Sequence, residues 1–594
     1  MRRTACIVRI IALAAVFLVV AVGLMPPALA GGETDERPAV EDPIDILDGS
    51  NVLHPLIERF STDRRALDRA YPTPMSPRAR QRMDAFLSDW RYRLDGVDFD
   101  ALPHPGKVDY ILFRGLLEHE SKALDHETQR GEETGPLVPF RQTIVALADD
   151  RNAMKRIPGR EAADALASIQ SMIDDASAAV RDEKLTASKS VADRAVRRIG
   201  ELRRTLEDWH SFYDGYDPMF TWWTKKPFED VDKALESYAR LVRKEIVGVD
   251  MDDEETIIGD PIGREALLDE LAFEMIPYTP EELIAIAERE FAWCETEKLR
   301  AARELGFGDD WKAAQEHVKN LHVEPGEQPD MIRELALEAV DFLEARELLT
   351  IPDLAKEVWR MEMMTPRRQL MTPYFTGGEV ISVSFPTDGM THEQKLMSMR
   401  GNNRHFSRAT VHHELIPGHH LQGYMNQRHR TYRRAFSTPF WGEGWALYWE
   451  MLLWDMDFPQ SPEDRIGMLF WRSHRCARII FSLSFHLELM TADECVVFLV
   501  ERVGHERRNA AAEVRRSVAG DYGPLYQAAY MLGGLQFRAM HKELVQSGRK
   551  TNREFHDAIL HNNSIPVEMV RATIIAQPLT KDHAPSWRFA EETD

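Results

Sequence analysis

The sequence predicts a mainly α-helical fold, and three observations support this. Apolar residues recur at helical spacing through most of residues 52–250, as Leu166, Ile169 and Met172 illustrate. Helix-start signals appear again farther along, whereas residues 379–385 form one of the few stretches that alternate like a strand. With 594 residues, the chain is long enough to bury a sizeable core.

Composition divides the chain into four segments, 1–30, 31–50, 51–260 and 261–594. The first is a predicted signal peptide, and the second is a flexible segment rich in Gly, Glu and Pro. The third is a predicted series of amphipathic helices, and the fourth carries the candidate metal ligands. We expect the third and fourth segments to form one continuous structural unit.

The N-terminus has the order of a secretory signal peptide. Three arginines precede an apolar run of sixteen residues, Ile10–Met25, and a small-x-small site ends at Ala30. The run is shorter than the roughly 20 residues of a spanning helix, which disfavours the alternative of an uncleaved anchor. Cys6 precedes the apolar run, so it is not a lipoprotein attachment site. We expect an exported protein, periplasmic or extracellular, that is cleaved near Ala30.

The chain is strongly acidic. Its formal net charge is −23, from 74 Lys and Arg against 97 Asp and Glu. Removal of the three signal-peptide arginines leaves 71 against 97, a charge of −26. Nucleic acids and anionic membrane surfaces would repel such a chain. We therefore expect neither as a partner, apart from the membrane met by the signal segment.

Local signals place several elements in the middle of the chain. The segment Phe212–Phe228 is aromatic and interrupted by Gly and Pro, which predicts a loop between helical blocks. Thr279, then a proline, then Glu282 at the third helical position predict a helix start, and we expect this helix to run to about Leu305. A further helix is predicted over about Pro329–Leu349.

The most informative motif is the run His-His-Glu-Leu-Ile-Pro-Gly-His-His at 412–420, followed by Trp-Gly-Glu-Gly-Trp-Ala-Leu-Tyr around Glu443. Two imidazoles and a carboxylate are the ligands of a His₂Glu catalytic zinc site. Glu414, next to His413, is the residue type that takes a proton from a water molecule activated by zinc. The motif predicts Zn²⁺ as the cofactor.

The spacing of the histidines is unusual. The common motif places its histidines at i and i+4, on one helix face, but here that position is Pro417. Proline clashes with the carbonyl four residues before it, so we predict a break at Pro417-Gly418 that turns His419 towards His413. On an undistorted helix His420, at i+7, would instead share the face of His413.

The third ligand also has two candidates. Glu443 lies thirty residues after His413, enough for one helix, a loop and the start of another. Glu450 is seven residues farther on and shares a similar helix face. We favour Glu443 as the ligand and assign Glu450 a supporting role.

These residues resemble domain of unknown function 885, a bacterial family of zincin-like proteins with the pattern His-Glu-x-x-Pro-Gly-His and then Glu-Gly-Trp-Ala-x-Tyr. The resemblance extends over about residues 265–575. It implies that His413, His419 and Glu443 bind zinc and that Glu414 is the general base. The family is distantly similar to carboxypeptidase Taq and angiotensin-converting enzyme, which implies a large helical gluzincin-like body with a deep cleft.

The C-terminal segments of the resemblance supply candidates for a second oxyanion donor. Tyr530 lies in the family-like segment Pro524–Gly533 and is the first choice. Tyr526, one turn away, is the alternative, although the family often has Gln at that position. His556 is a weaker candidate. A core tyrosine with a satisfied hydroxyl remains the structural alternative.

The strand-like stretch Glu379–Phe385 lies shortly before the metal motif and predicts a short β-hairpin or edge strand. By analogy with zincins, Ile381–Phe385 is a candidate to hold an extended substrate by strand addition. A purely structural strand is the alternative.

Three cysteines would remain in the mature chain. They are Cys294, Cys476 and Cys495, and the last two could pair. Our default expectation is that all three are small core residues.

Three functions are compatible with the motifs. The leading one is an exported zinc metallopeptidase that acts on a peptide or small amide. The second is a zinc hydrolase of a non-peptide amide or ester, and the third is a non-catalytic binding protein on the same fold.

Overall fold

Helices form almost all the regular structure in this computed structural model, which confirms the mainly α-helical prediction. The structure describes residues 51–253, 255–365, 368–369, 376–520 and 522–590. The predicted signal peptide and the segment 31–50 lie outside these ranges. No described helix has both the length and the apolar character needed to cross a membrane. The deep cleft stays a prediction.

The helices and strands follow one another along the chain in three parts. The N-terminal half contains α1 (Leu53–Ala70), α2 (Pro77–Asp95), α3 (His104–Thr134), α4 (Arg141–Asn152), α5 (Gly159–Arg181), α6 (Lys189–Tyr213), α7 (Pro218–Val242) and α8 (Gly263–Phe273). The middle contains α9 (Pro280–Glu304), α10 (Trp311–Lys319), α11 (Gln328–Ala345), α12 (Asp353–Val358), β1 (Arg360–Met363), β2 (Val380–Val383) and α13 (His392–Gly401). The C-terminal part contains α14 (Arg404–Glu414), α15 (His419–Asn426), α16 (Pro439–Asp455), α17 (Pro462–His486), α18 (Ala492–Phe498), α19 (Arg507–Val518), α20 (Tyr526–His541), α21 (Asn552–Leu560) and α22 (Val567–Ile574).

Helix α9 begins as the sequence predicts. The Thr279 hydroxyl accepts the backbone N–H of Glu282, and the Glu282 carboxylate accepts the backbone N–H of Thr279. Each side chain thus satisfies a donor that the first turn leaves without a partner. Helix α11 ends at Ala345, short of the predicted Leu349, because Glu347 adopts a left-handed φ of 50°.

The loop predicted over Phe212–Phe228 is wrong. Helix α6 continues to Tyr213 and α7 begins at Pro218, so only four residues connect them. The Asp217 carboxylate accepts the backbone N–H groups of Met219 and Phe220, and Pro218 takes the first helical position. A strong N-terminal cap therefore starts a helix where the aromatic composition suggested a loop.

The short strand predicted over Glu379–Phe385 is present as β2, but it pairs in parallel with β1, with Met361 opposite Ile381, so these two strands do not form a hairpin. The Ser382 N–H and C=O bond to Thr376 on the other side of β2. Strand β2 is therefore flanked on both sides at this residue and is not a free edge there. An extended substrate would have to displace Thr376 to pair at Ser382.

All three described cysteines are free and buried. The Cys495 thiol points at the Phe481 carbonyl oxygen at 3.7 Å, and no disulfide joins it to Cys476. The default expectation of small core residues therefore holds.

Helices α16 and α20, which carry candidate site residues, contact each other backbone to backbone at Gly444 and Gly533. A Cβ on Gly533 of α20 would lie 2.0 Å from the Phe440 carbonyl oxygen and 2.8 Å from the Gly444 Cα of α16. Backbone-to-backbone contact of this kind requires glycine. It also sets how close α20 comes to Glu443.

Gly533→Ala is expected to destabilise the protein by about 3 kcal/mol, because the new methyl must push two helix backbones apart. Urea unfolding would measure this. Gly115→Ala is the matched control, since Gly115 lies within α3 and an added Cβ there meets nothing within 4 Å. Equal unfolding midpoints for the Gly533 variant and the wild type would contradict the close contact.

Candidate metal centre

The predicted helix break is present. Helix α14 ends at Glu414, α15 begins at His419, and Leu415 leaves the helical region with φ −108° and ψ −107°. A Cβ on Gly418 would lie 1.8 Å from the His413 carbonyl oxygen, so only glycine fits there. The Trp445 indole N–H donates to the Pro417 carbonyl at 2.8 Å and ties the break to α16.

The break brings three side chains to one point. The Nε2 atoms of His413 and His419 lie 3.5 Å and 3.1 Å from Oε2 of Glu443. The two imidazole rings are 4.8 Å apart between centroids and almost perpendicular, at 82°. The three donor atoms therefore converge from α14, α15 and α16.

The donor set fits a zinc ion. Ligand atoms at 2.0–2.2 Å from a tetrahedral zinc are about 3.3–3.6 Å from one another, close to the separations above. Oε2 of Glu443 is buried and makes no hydrogen bond of good geometry, although both imidazole Nε2 atoms lie within 3.5 Å, and a cation held between these atoms would satisfy it. Ligand atoms of His413, Glu414 and His419 also lie within 4.8 Å of one another. Glu414 is half-buried, so its carboxylate keeps access to solvent.

The electrostatics of the cluster favour a cation. Burial lowers the pKa of His413, but the carboxylates of Glu443 and Glu450 outweigh it and raise that pKa to about 9. Burial raises the pKa of Glu443, but His419 and His413 hold it well below its usual range. The carboxylates that retain a proton on His413 would equally attract a metal ion in its place.

Glu450 contacts His413 from outside the cluster. Its Oε1 lies 2.7 Å from Nδ1 of His413, the ring nitrogen opposite the one that points to Glu443. A carboxylate at this nitrogen fixes the ring and increases the basicity of the other nitrogen. The Gln422 amide nitrogen lies 2.7 Å from Nδ1 of His419 and fixes the second imidazole as a hydrogen-bond donor, whereas Glu450 acts on His413 as an acceptor.

His420 points away from the cluster. Its Nε2 lies 2.7 Å from the Ala355 carbonyl oxygen, and its side chain is buried. The break thus turns the histidine at i+6, not the one at i+7, towards His413.

Both candidate tyrosines lie beside the cluster. The Tyr526 hydroxyl donates to Oε1 of Glu443 at 2.5 Å. The Tyr530 ring stacks on the His413 ring at 6.2 Å between centroids. Burial raises the pKa of Tyr530, so its hydroxyl keeps its proton and remains a donor. The structure places both tyrosines near Glu443 and does not separate them as oxyanion donors.

His556 is not part of this site. Its Nδ1 lies 2.7 Å from the Leu348 carbonyl oxygen, and its Nε2 lies 2.8 Å from the Tyr448 hydroxyl. Both ring nitrogens are satisfied within the core.

Two arginines next to the site were not identified from the sequence. The guanidinium carbons of Arg475 and Arg478 each lie 4.6 Å from the centre of the Tyr530 ring. Their spacing of three residues places them on one face of α17. The sequence shows this spacing, but it does not show that this face of the helix packs against Tyr530. Gln422 was missed for the same reason, although it is three residues after His419.

Comparisons with known proteins agree on the family and the fold. The family model described as "Bacterial protein of unknown function (DUF885)" matches residues 61–574. A search of curated proteins finds no match. A solved structure described as a "putative lipoprotein of unknown function" from Shewanella oneidensis matches at a TM-score of 0.64 and 16% identity, and the match covers 88% of this chain and 99% of that one.

A second solved structure, a "putative lipoprotein" from Colwellia psychrerythraea, matches at a TM-score of 0.56 and 15% identity, covering 89% of this chain and 98% of that one. At these identities both structures show a shared fold. The family model covers most of the chain, and the chain therefore belongs to the DUF885 family of bacterial proteins.

Proposed function

We propose that this protein is an exported zinc-dependent hydrolase, and more specifically a metallopeptidase. The observation that carries the proposal is the convergence of Nε2 of His413, Nε2 of His419 and the unsatisfied Oε2 of Glu443. This His₂Glu set is the ligand set of catalytic zinc in peptidases such as thermolysin.

His413, His419 and Glu443 would hold the ion, which when bound supplies Lewis-acid activation of a water molecule and of a substrate carbonyl. Glu414, beside these ligands and half-exposed, takes the proton of the attacking water and passes it to the leaving amine. A hydroxyl from Tyr530 or Tyr526 donates to the oxygen that becomes negatively charged. Glu450 keeps the His413 ring oriented throughout.

Export is supported by the predicted signal peptide and by the relatives described as lipoproteins. Cys6 precedes the apolar run, so we propose release after cleavage near Ala30 without a lipid on that cysteine. A periplasmic or extracellular location follows.

The purified mature protein is expected to contain about one zinc per chain by elemental analysis, because His413, His419 and Glu443 supply one set of three ligand atoms among the described residues. It is also expected to hydrolyse at least some members of a panel of short peptides. A chelator should abolish this activity, and added zinc should restore it.

Matched panels of non-peptide amides and esters separate the alternatives. Chelator-sensitive turnover confined to those panels would replace the peptidase assignment by a different hydrolase. Stoichiometric zinc without turnover on any panel would favour a binding protein. Absence of bound zinc would contradict the proposal at its base.

A further inference from the structure

A glycine turn that precedes β2 lies directly against Glu414. A Cβ on Gly377 would be 2.3 Å from Cβ of Glu414 and 2.5 Å from its Oε2. No side chain larger than hydrogen fits without displacing that carboxylate or the turn. The contact is therefore made by the backbone of Gly377 itself.

Two further contacts hold the turn in place. The Gly378 N–H donates to the Glu414 carbonyl oxygen at 3.1 Å, and Gly378 has a φ of +119°, which favours glycine. On the other side, Thr376 bonds to Ser382 of β2. The turn thus connects the end of α14 to the small sheet.

Gly377 is exposed although it touches Glu414. One side of its backbone faces the carboxylate, and the other faces solvent. It therefore lies at the rim of the site, where Glu414 is itself half-buried. A residue in this place restricts the positions available to Glu414 without covering the ligands.

We propose that Gly377 is a positioning residue for Glu414: its bare backbone limits the rotamers of the carboxylate and holds it beside the His413, His419 and Glu443 cluster. The proposal rests on the function proposed above, because it assigns Glu414 the role of general base. Misplacement of a reacting group by about 1 Å can cost on the order of 100-fold in rate. A methyl group at Gly377 would meet Cβ and Oε2 of Glu414 and also its carbonyl oxygen, at 2.6 Å.

Gly377→Ala in the zinc-loaded protein is expected to lower kcat by roughly 10–100-fold, with KM within about twofold and zinc content unchanged. Gly389→Ala is the control, since Gly389 is also an exposed turn glycine but an added Cβ meets nothing within 4 Å. It should retain full turnover. A Gly377 variant with wild-type kcat, or one in which only KM changes, would overturn the positioning role.

A second measurement does not depend on turnover. Gly377→Ala should lower the thermal unfolding midpoint more in the wild type than in a Glu414→Gly background. That background removes Cβ and Oε2 of residue 414 and leaves only its carbonyl oxygen for the new methyl group to meet. Equal shifts in the two backgrounds would overturn the contact. If the wild type hydrolyses nothing, the function proposed above fails, while this comparison still decides whether Gly377 constrains Glu414.

Discussion

Glu414→Gln is expected to remove nearly all turnover while zinc content and the unfolding midpoint stay at wild-type values. The amide is almost the same size as the carboxylate but cannot accept the proton of the attacking water. Loss of a general base typically costs about two orders of magnitude or more. Steady-state kinetics on any substrate found for the wild type, with zinc measured on the same samples, would test this.

Glu393→Gln is the matched control, because Glu393 is exposed on α13 and lies outside the cluster. It should be as active as the wild type. Near-normal turnover of the Glu414 variant would assign the base to another group. Loss of zinc from that variant would instead make Glu414 a ligand. Its ligand atom lies within 4.8 Å of those of His413 and His419, which allows this role.

His419→Ala is expected to lose zinc as completely as His413→Ala, whereas His420→Ala should keep it. His419→Ala and His413→Ala each remove one of three proposed ligand atoms. Their loss of zinc affinity should exceed the roughly 10–100-fold cost of removing an orienting partner. His420→Ala removes a ring that contacts the Ala355 carbonyl oxygen and points away from the cluster. Zinc titration of the metal-free proteins, followed by elemental analysis, would measure the difference.

His420→Ala acts as the internal control, because it removes the same side chain from the neighbouring position. Zinc loss in this variant with retention in His419→Ala would reverse the assignment and restore the straight-helix interpretation. Retention of zinc in both His413→Ala and His419→Ala would place the metal elsewhere.

The composition of the site was predictable because it depends on local chemistry. Histidine and glutamate at these spacings predict a zinc ligand set, and Pro417 with Gly418 predicts a break for steric reasons that involve only neighbouring residues. The same holds for the capping box at Thr279, which is confirmed. The wrong prediction at Phe212–Phe228 also concerns a local signal, because Asp217 caps a helix within a segment whose aromatic composition suggested a loop.

The direction in which each side chain points was not predictable, because it depends on contacts between residues that are distant in the sequence. His419 and His420 are adjacent, and the bond from Trp445 to Pro417 and the contact of His420 with Ala355 accompany the turn of His419 towards the cluster. The role of Glu450 depends likewise on its distance from His413, 37 residues earlier.

The sequence by itself determined the helical class and the family pattern, and it predicted the signal segment and the candidate metal ligands. The tertiary structure alone decided the parallel pairing of β1 with β2, the approach of Gly377 to Glu414, and which of two neighbouring histidines faces the cluster. The physical reason is the distance along the chain over which each kind of interaction acts. Capping, proline sterics and ligand chemistry act within a few residues, whereas pairing and orientation arise from packing between segments that the chain alone does not bring together.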